Sequence, residues 1–506
     1  MAAEMSGAEA WVAPITNVSD FIWGGTWNGA EVIPFPPMTI ILLGIGLWIM
    51  VGLRFYPILK LGSAFKGLFA GRKGQGDGEI SPFAALSTAL SGQVGTGNLA
   101  GVATAIALGG PGAIFWMWIT ALFGMALAFA EGSLAIRYRE TTSDGAKRGG
   151  PMSYIVMGLG PKWTWLAVVF CLGTLFSALV TGNSIQANAV ADGLNELFGI
   201  EEAIGGAIVA VLVFIVIIGG IKSIGSVAEK VIPFMAGAYI IVAVLALILN
   251  FSQIPATFGL IFYGAFNPQS AVGGFAGAAI IIALRAGVAR GLFSNEAGQG
   301  STAIAHAVAQ TNDPESQGRM AMLGTFIDTI VICTMTALVI LSVQGDFTAG
   351  TEAVAYAWQS DRVGFEMTSG AFAAAFPALV AGVPIGTLVT SIVLILFVFT
   401  TLLTWSYYGE RAITFLYDRI PGSNRRGEKI LHIIWRVLWC VVIWLAAAQP
   451  SELVWRLGDI SNAAMALPNL LALLLLSGVV FKLAKGDKTA GEDHSPEADT
   501  VVNPAQ

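Results

Sequence analysis

Two stretches decide how this chain folds: SGQVGTGNLAG at residues 91–101 and RGLFSNEAGQGS at residues 290–301. Both lie inside long apolar runs, and both crowd glycine and polar side chains into the middle of a helix-length segment. Glycine costs about 1 kcal/mol relative to alanine in a helix interior. Backbone left unpaired in lipid costs several kcal/mol per group, so such stretches survive only where they line a cavity inside protein.

The surrounding chain has 506 residues, 55% of them hydrophobic and only 11% charged. A typical soluble domain carries roughly 25% charged residues. This excludes a soluble enzyme, a nucleic-acid binder and a disordered chain. The net charge of −6 is too mild to point to an acidic or basic partner. Cys171, Cys333 and Cys440 all lie in apolar runs, which argues against a disulfide framework or a zinc site. The composition is that of a multi-spanning membrane protein embedded in a lipid bilayer.

A span needs about 20 mostly apolar residues. Eleven are expected, at 36–56, 82–108, 112–137, 163–191, 204–221, 227–249, 273–305, 318–343, 380–408, 430–448 and 453–482. Residues 1–35 carry no Lys or Arg, which is not the pattern of a signal peptide. Their Trp11, Trp23 and Trp27 suit a membrane–water interface. The polar tail 483–506 reads as a disordered cytoplasmic end. Short loops rich in Lys and Arg stay cytoplasmic. Loop 54–80 has Arg54, Lys60, Lys66, Arg72 and Lys73. Loop 137–162 has Arg137, Arg139, Lys147, Arg148 and Lys162, and loop 409–429 has Arg411, Arg419, Arg425, Arg426 and Lys429. The intervening loops 192–202 and 344–377 are acidic. The expected topology has the N-terminus outside and the C-terminus cytoplasmic.

Setting aside the leading span 36–56, ten remain, and the two glycine-rich breaks fall in the first and sixth. Five spans is an odd number, so the second set, 273–482, enters from the side opposite to the first, 82–249. An inverted repeat with a discontinuous helix at matched points is the sequence pointer to a secondary transporter with a midplane site. Small residues also serve close helix packing. Matched positions carrying Thr96, Asn98, Ser294, Asn295 and Glu296 favour the site.

The chemistry of the breaks suits a zwitterion and sodium. The free N–H groups of Thr96, Gly97 and Asn98 at a half-helix N-terminus suit a carboxylate. Carbonyls of Ser91, Gly92 and Val94 suit sodium, and those near Phe293 and Ser294 suit a substrate ammonium. The first break has no Asp or Glu, which favours a small neutral amino acid over a cationic one. A channel needs a continuous polar pore with repeated rings, which this pattern lacks. An enzyme needs clustered acids, bases or a nucleophile, and the three histidines at 306, 432 and 494 do not cluster with acids.

The run GGPGAIFWMWITALFG (109–124), with VGTGNLAGVATAIALGG before it and RGLFSNEAGQGS after it, resembles the alanine/glycine:cation symporters, the sodium:alanine symporter family. The likeness extends from about residue 36 to 480. It implies an all-α, LeuT-type five-plus-five inverted repeat with one extra N-terminal helix. It also implies sodium-coupled uptake of alanine or glycine by alternating access in a cell membrane, the sodium ion being co-transported. Proton coupling and exchange stay open as alternatives. By the same resemblance, Ser91, Val94, Thr96 and Gly97 contact substrate and sodium, and Phe293, Ser294 and Asn295 contact substrate. Phe176, Gln186 and Asn188 line the pocket from the third core helix. Thr400 and Thr401, with Thr404 behind them, complete the sodium site, and Trp405 walls the pocket. The chain departs from the family pattern at Gln93, at Gln299, at TAIAHAVAQ after Gly300-Ser301, and in FGMALAFAE, where a Lys is absent.

Glu131, Arg285, Arg290, Glu296, Asp328 and Arg436 are intramembrane charges, which are usually paired or functional. The expectation is an ion-pair network of Arg285 or Arg290 with Glu296 and Asp328 around the second break. His306 is a candidate for proton coupling, or simply a satisfied polar residue. TEAVAYAWQ in the loop 345–377 is expected to form a short helix over the entrance.

Overall fold

Proline opens four of the helices, Pro37–Gly52, Pro82–Gln93, Pro151–Leu159 and Pro314–Thr325. Its missing N–H costs nothing at that position, where no intrahelical partner exists. Two of these starts are also capped by side chains. Ser81 Oγ accepts from Ala84 N at 3.0 Å, and Asp313 Oδ1 accepts from Ser316 N at 3.2 Å. These features belong to a computed structural model that describes residues 7–33, 35–142, 145–267, 276–449, 451–487 and 489–491. Residues 273–275 of the seventh expected span and 492–506 of the expected tail lie outside the described residues.

The fold is helical, with only four two-stranded hairpins among the described residues. Seven described helices are long and apolar enough to cross a membrane: Gly112–Arg137, Pro161–Phe198, Gly220–Leu249, Pro314–Ser342, Ile385–Tyr417, Arg425–Ala446 and Leu453–Leu475. Pro37–Gly52, Gly97–Gly109 and Glu202–Ile217 are shorter apolar helices. Each overlaps a span expected from sequence.

The distribution of polarity is inverted relative to a water-soluble protein. Ile208, Val211, Leu212 and Ile215 of one helix are exposed, as are Ile433, Ile434, Val437, Leu438 and Val441 of another. Thr88, Asn98, Glu131, Ser294, Asn295, Asp328 and Thr404 are fully buried. An apolar outside and a hydrogen-bonded polar inside are what a lipid solvent selects.

The helix Gly112–Arg137 runs through the centre and packs against Ala276–Asn295 and Pro314–Thr325. Its glycines set the spacing. A side chain at Gly132 would place Cβ 2.6 Å from Ala321 Cβ and 3.1 Å from Gln317 O. The helix Gly112–Arg137 thereby packs against both helices that flank the second break, Ala276–Asn295 and Ser301–His306.

Two local expectations change. TEAVAYAWQ is mostly strand, and only its last three residues, Ala357–Gln359, form a short helical turn. Glu352–Tyr356 pairs antiparallel with Gln344–Ala349, with Thr348 opposite Ala353 and Ala349 opposite Glu352. The reason is the turn: Gly350 takes φ 58°, and Phe347 is buried beneath the hairpin. The N-terminal segment, in turn, is not merely an interfacial stretch. The helix Gly7–Gly24 lies against Ser451–Leu475, where Trp23 Nε1 donates to Asp459 O at 3.0 Å. Asp20 Oδ1 accepts from Arg285 at 3.1 Å and from Arg456 at 3.0 Å.

Gly132→Val is expected to destabilise the protein by about 1–3 kcal/mol through overpacking. Gly237→Val, where a Cβ meets nothing within 4 Å, serves as the control. Thermal unfolding in detergent that shows no difference between the two variants contradicts the glycine-set spacing.

Candidate functional site

The first break begins where Pro82–Gln93 ends. Val94 turns extended (φ −79°, ψ 95°), and the chain re-enters helix as a wide turn over Gly97–Gly101. The second begins after Asn295. Glu296, Gly298 and Gly300 all take positive φ, at 56°, 87° and 88°, and helix resumes at Ser301. Left-handed backbone at 298 and 300 is what the two glycines permit, while Glu296 adopts it with a long side chain.

The breaks touch. A Cβ on Gly97 would lie 3.1 Å from Phe293 Cδ1 and from Ser294 Cα. Gln93 Nε2 donates to Asn295 O at 2.6 Å, and Asn98 Nδ2 donates to Ser294 Oγ at 3.1 Å. The helix Ile385–Tyr417 closes the first break from the other side. A Cβ on Gly95 would meet Thr401 Oγ1 at 2.7 Å and Gln186 Oε1 at 3.0 Å.

Side chains take over the hydrogen bonds that the lost helix would have made. Gly95 N donates to Asn98 Oδ1 at 2.9 Å, and Thr96 N donates to Gln186 Oε1 at 3.2 Å. Thr401 Oγ1 lies 3.2 Å from Val94 O, and Ser91 Oγ donates to Thr400 O at 2.7 Å. Thr404 Oγ1 lies 3.0 Å from Ser91 Oγ and 3.2 Å from Thr88 O. Around the second break, Asn469 Nδ2 donates to Gly298 O at 3.0 Å and Gly300 N donates to Glu131 Oε1 at 3.0 Å. The Thr96 hydroxyl is buried and has no protein partner, and neither does Gln93 Oε1. Unpartnered polar atoms in a buried break are the places where a ligand can add a bond.

Most of the residues singled out from sequence therefore converge: Ser91, Val94, Thr96, Gly97, Asn98, Gln186, Phe293, Ser294, Asn295 and Thr401. Trp405 joins them through Glu296, its Nε1 donating to Oε1 at 2.8 Å. Three placements differ. Phe176 stands on an exposed stripe with Trp165, Val169 and Leu172, spaced four, three and four apart, and faces outward rather than into a pocket. Asn188 is spent on the end of another helix, donating to Ala447 O at 3.2 Å and Gln449 O at 3.0 Å. The Thr400 hydroxyl turns to Phe397 O at 2.9 Å and towards Met235 Sδ at 3.8 Å, so only the Thr400 carbonyl faces Ser91. Thr404 supplies the hydroxyl beside Ser91 instead.

The expected arginine–carboxylate network is also replaced. Arg290 pairs with Asp459, with Nη2 2.5 and 2.6 Å from the two oxygens, and its guanidinium lies 5.1 Å from the Trp455 ring. Arg285 pairs with Asp20, and Arg436 pairs with Glu410 at 2.8 Å. Asp328 is held by neutral donors, Asn98 Nδ2 at 2.6 Å, Ser294 Oγ at 2.8 Å and Thr329 Oγ1 at 2.7 Å. Glu131 likewise accepts from Asn469 at 2.8 Å and Thr302 at 3.0 Å. His306 Nδ1 faces Gln317 Nε2 at 2.6 Å. Sequence reasoning missed Asp459 because it lies 169 residues from Arg290. The aromatic Trp455 one turn before it was the available signal.

Asn98→Ala is expected to cost about 1.5–3 kcal/mol, since it strips a donor from the buried Asp328 carboxylate. Detergent melting that matches wild type contradicts this role for Asn98.

Residues 25–498 match the sodium:alanine symporter family. The sodium/alanine symporter AgcS of Methanococcus maripaludis is 41% identical over 477 residues, covering 94% of this chain and 96% of the relative. A Bacillus subtilis protein named "Probable sodium/glutamine symporter GlnT" is 35% identical over 475 residues, covering 92% and 91%. Among solved structures, MhsT in complex with L-phenylalanine superposes with a TM-score of 0.54 at 14% identity, covering 82% of this chain and 93% of that one. That likeness shows the fold alone, a bundle of long helices. With these matches spanning nearly its whole length, the chain belongs to the sodium:alanine symporter family.

Proposed function

We propose that this protein carries a small neutral amino acid, alanine or glycine, into the cell together with sodium, by alternating access. The transporting unit is residues 36–482. After the leading helix, repeats 82–249 and 273–482 run in opposite directions, with the N-terminus outside and the C-terminus cytoplasmic. The observation that carries the reading is the meeting of the two broken helices beside their breaks, Gly97 at the start of one half-helix against Phe293 and Ser294 at the end of another, with the neighbouring Thr96 hydroxyl left unpartnered.

On this reading the substrate carboxylate takes the N–H groups of Thr96, Gly97 and Asn98, displacing the long bond from Thr96 N to Gln186. The ammonium meets carbonyls at Phe293 and Ser294. Sodium, a hard cation, takes oxygen from Val94 O, Ser91, Thr401 and Thr404, which stand as two hydrogen-bonded pairs, Thr401 with Val94 O and Thr404 with Ser91. Both ligands bind the same eight-residue stretch, Ser91–Asn98, so ordering it for one favours the other.

Labelled alanine supplied to proteoliposomes is expected to accumulate under an inward sodium gradient and not under a matched choline gradient. Equal uptake in choline contradicts sodium coupling and transfers the proposal to proton coupling or exchange. Thr401→Ala is expected to raise the sodium concentration for half-maximal uptake about tenfold, equivalent to about 1.4 kcal/mol. Thr400→Ala, whose hydroxyl points away, is expected to change it less. The reverse order contradicts the assigned sodium ligands.

A further inference from the structure

Glu296 is the most constrained residue of the second break. Its backbone takes φ 56°, a left-handed conformation that costs a long side chain more than it costs glycine or asparagine. Its side chain is buried and fully engaged. Oε1 accepts from Trp405 Nε1 at 2.8 Å, and Oε2 accepts from Ser301 Oγ at 2.6 Å. One carboxylate therefore joins the end of the first half-helix, the start of the next and an aromatic ring on the Ile385–Tyr417 helix.

The Trp405 ring has little other polar restraint, since a single N–H is all an indole can donate. Its flank lies against Gly182, where a Cβ would overlap the ring. Tyr408 meets it edge-on, with centroids 5.5 Å apart. Gly182 stands one turn from Gln186, which accepts from Thr96 N. The ring thus lies one helical turn from the residue that bonds the first break, and the Glu296 bond ties it to the second.

We propose that Glu296 is a positioning residue that sets the size of amino acid admitted, by holding the Trp405 indole against Gly182. The proposal rests on the symporter reading above. It makes selectivity a property of the second break: the geometry that unwinds the helix also fixes the wall of the site.

The test is sodium-driven alanine uptake in proteoliposomes, with 2-aminobutyrate and glutamine as competing probes of increasing size. Glu296→Ala is expected to improve glutamine competition, relative to the alanine KM, about tenfold or more. Replacing Trp405 by 3-benzothienylalanine, introduced by nonsense suppression, keeps the bicyclic ring and loses only the N–H, and is expected to do the same. The double variant is expected to go no further than either single one, because both remove one bond. Glu296→Gln retains an acceptor oxygen and is expected to restore the wild-type ratio, which a purely structural role of the charge does not explain. Wild-type discrimination with 3-benzothienylalanine in place of Trp405 overturns the proposal even if Glu296→Ala fails to fold. Additive effects in the double variant overturn it as well. Wild-type protein that moves no alanine under a sodium gradient sinks the symporter reading, and this inference with it. Uptake with unchanged selectivity in the variants sinks this inference alone.

Discussion

An unwound peptide inside an apolar membrane protein has no water to bond to, so every exposed N–H and C=O must find a protein partner. The rest of this structure follows from meeting that demand twice. Thr336 Oγ1 donates to Asn98 O at 2.7 Å, and Thr368 Oγ1 donates to Leu99 O at 2.9 Å. Gln93 serves Asn295 O, Asn469 serves Gly298 O, and Glu131 receives Gly300 N–H. These partners come from helices scattered along the chain. The breaks therefore pin the bundle together as much as the bundle supports the breaks.

The same demand explains where the charges went. A buried carboxylate can be stabilised by several neutral donors without a cation beside it. Glu131, Glu296 and Asp328 each follow that course, with donors drawn from both sides of the second break. The arginines expected among them sit further out, Arg290 on Asp459 and Arg285 on Asp20. Asp459 also receives the N-terminal helix through its carbonyl, from Trp23. The helix Gly7–Gly24 is thereby fastened across the helices that carry the second break and Asp459.

The breaks themselves could be read from sequence because glycine and polar runs have no other reason to interrupt an apolar stretch. Their partners could not. Gln93 and Asn295 are 202 residues apart, and nothing local marks them as a pair. Phe176 is a different failure. Trp165, Val169, Leu172 and Phe176 repeat at helical spacing, the signature of a lipid-facing stripe, and an expectation of pocket lining overlooked that periodicity. Asn188 shares a helix with Gln186 but points about 200° around it, which directs it to the carbonyls at the end of Arg425–Ala446. The hairpin at Gln344–Ala349 depended on a left-handed glycine at 350 that helical periodicity does not reveal.

Tight mutual satisfaction has a dynamic consequence. Gln93 spans from the first break to the second, and Asn98 spans from the first break to Ser294 and Asp328. Neither unwound segment can shift far without leaving the other's polar groups bare in a low-dielectric interior. The two breaks must then move together, or exchange their partners for ligand groups as they separate. A zwitterion and a hard cation offer the kinds of group these atoms already contact: an anion for N–H, a cation for C=O and hydroxyl oxygen. On the proposed reading, the internal bonds that join the breaks are the ones the ligands replace in kind. On the same reading, binding both ligands changes the balance between the open and closed arrangements while leaving few backbone groups unpaired at any stage.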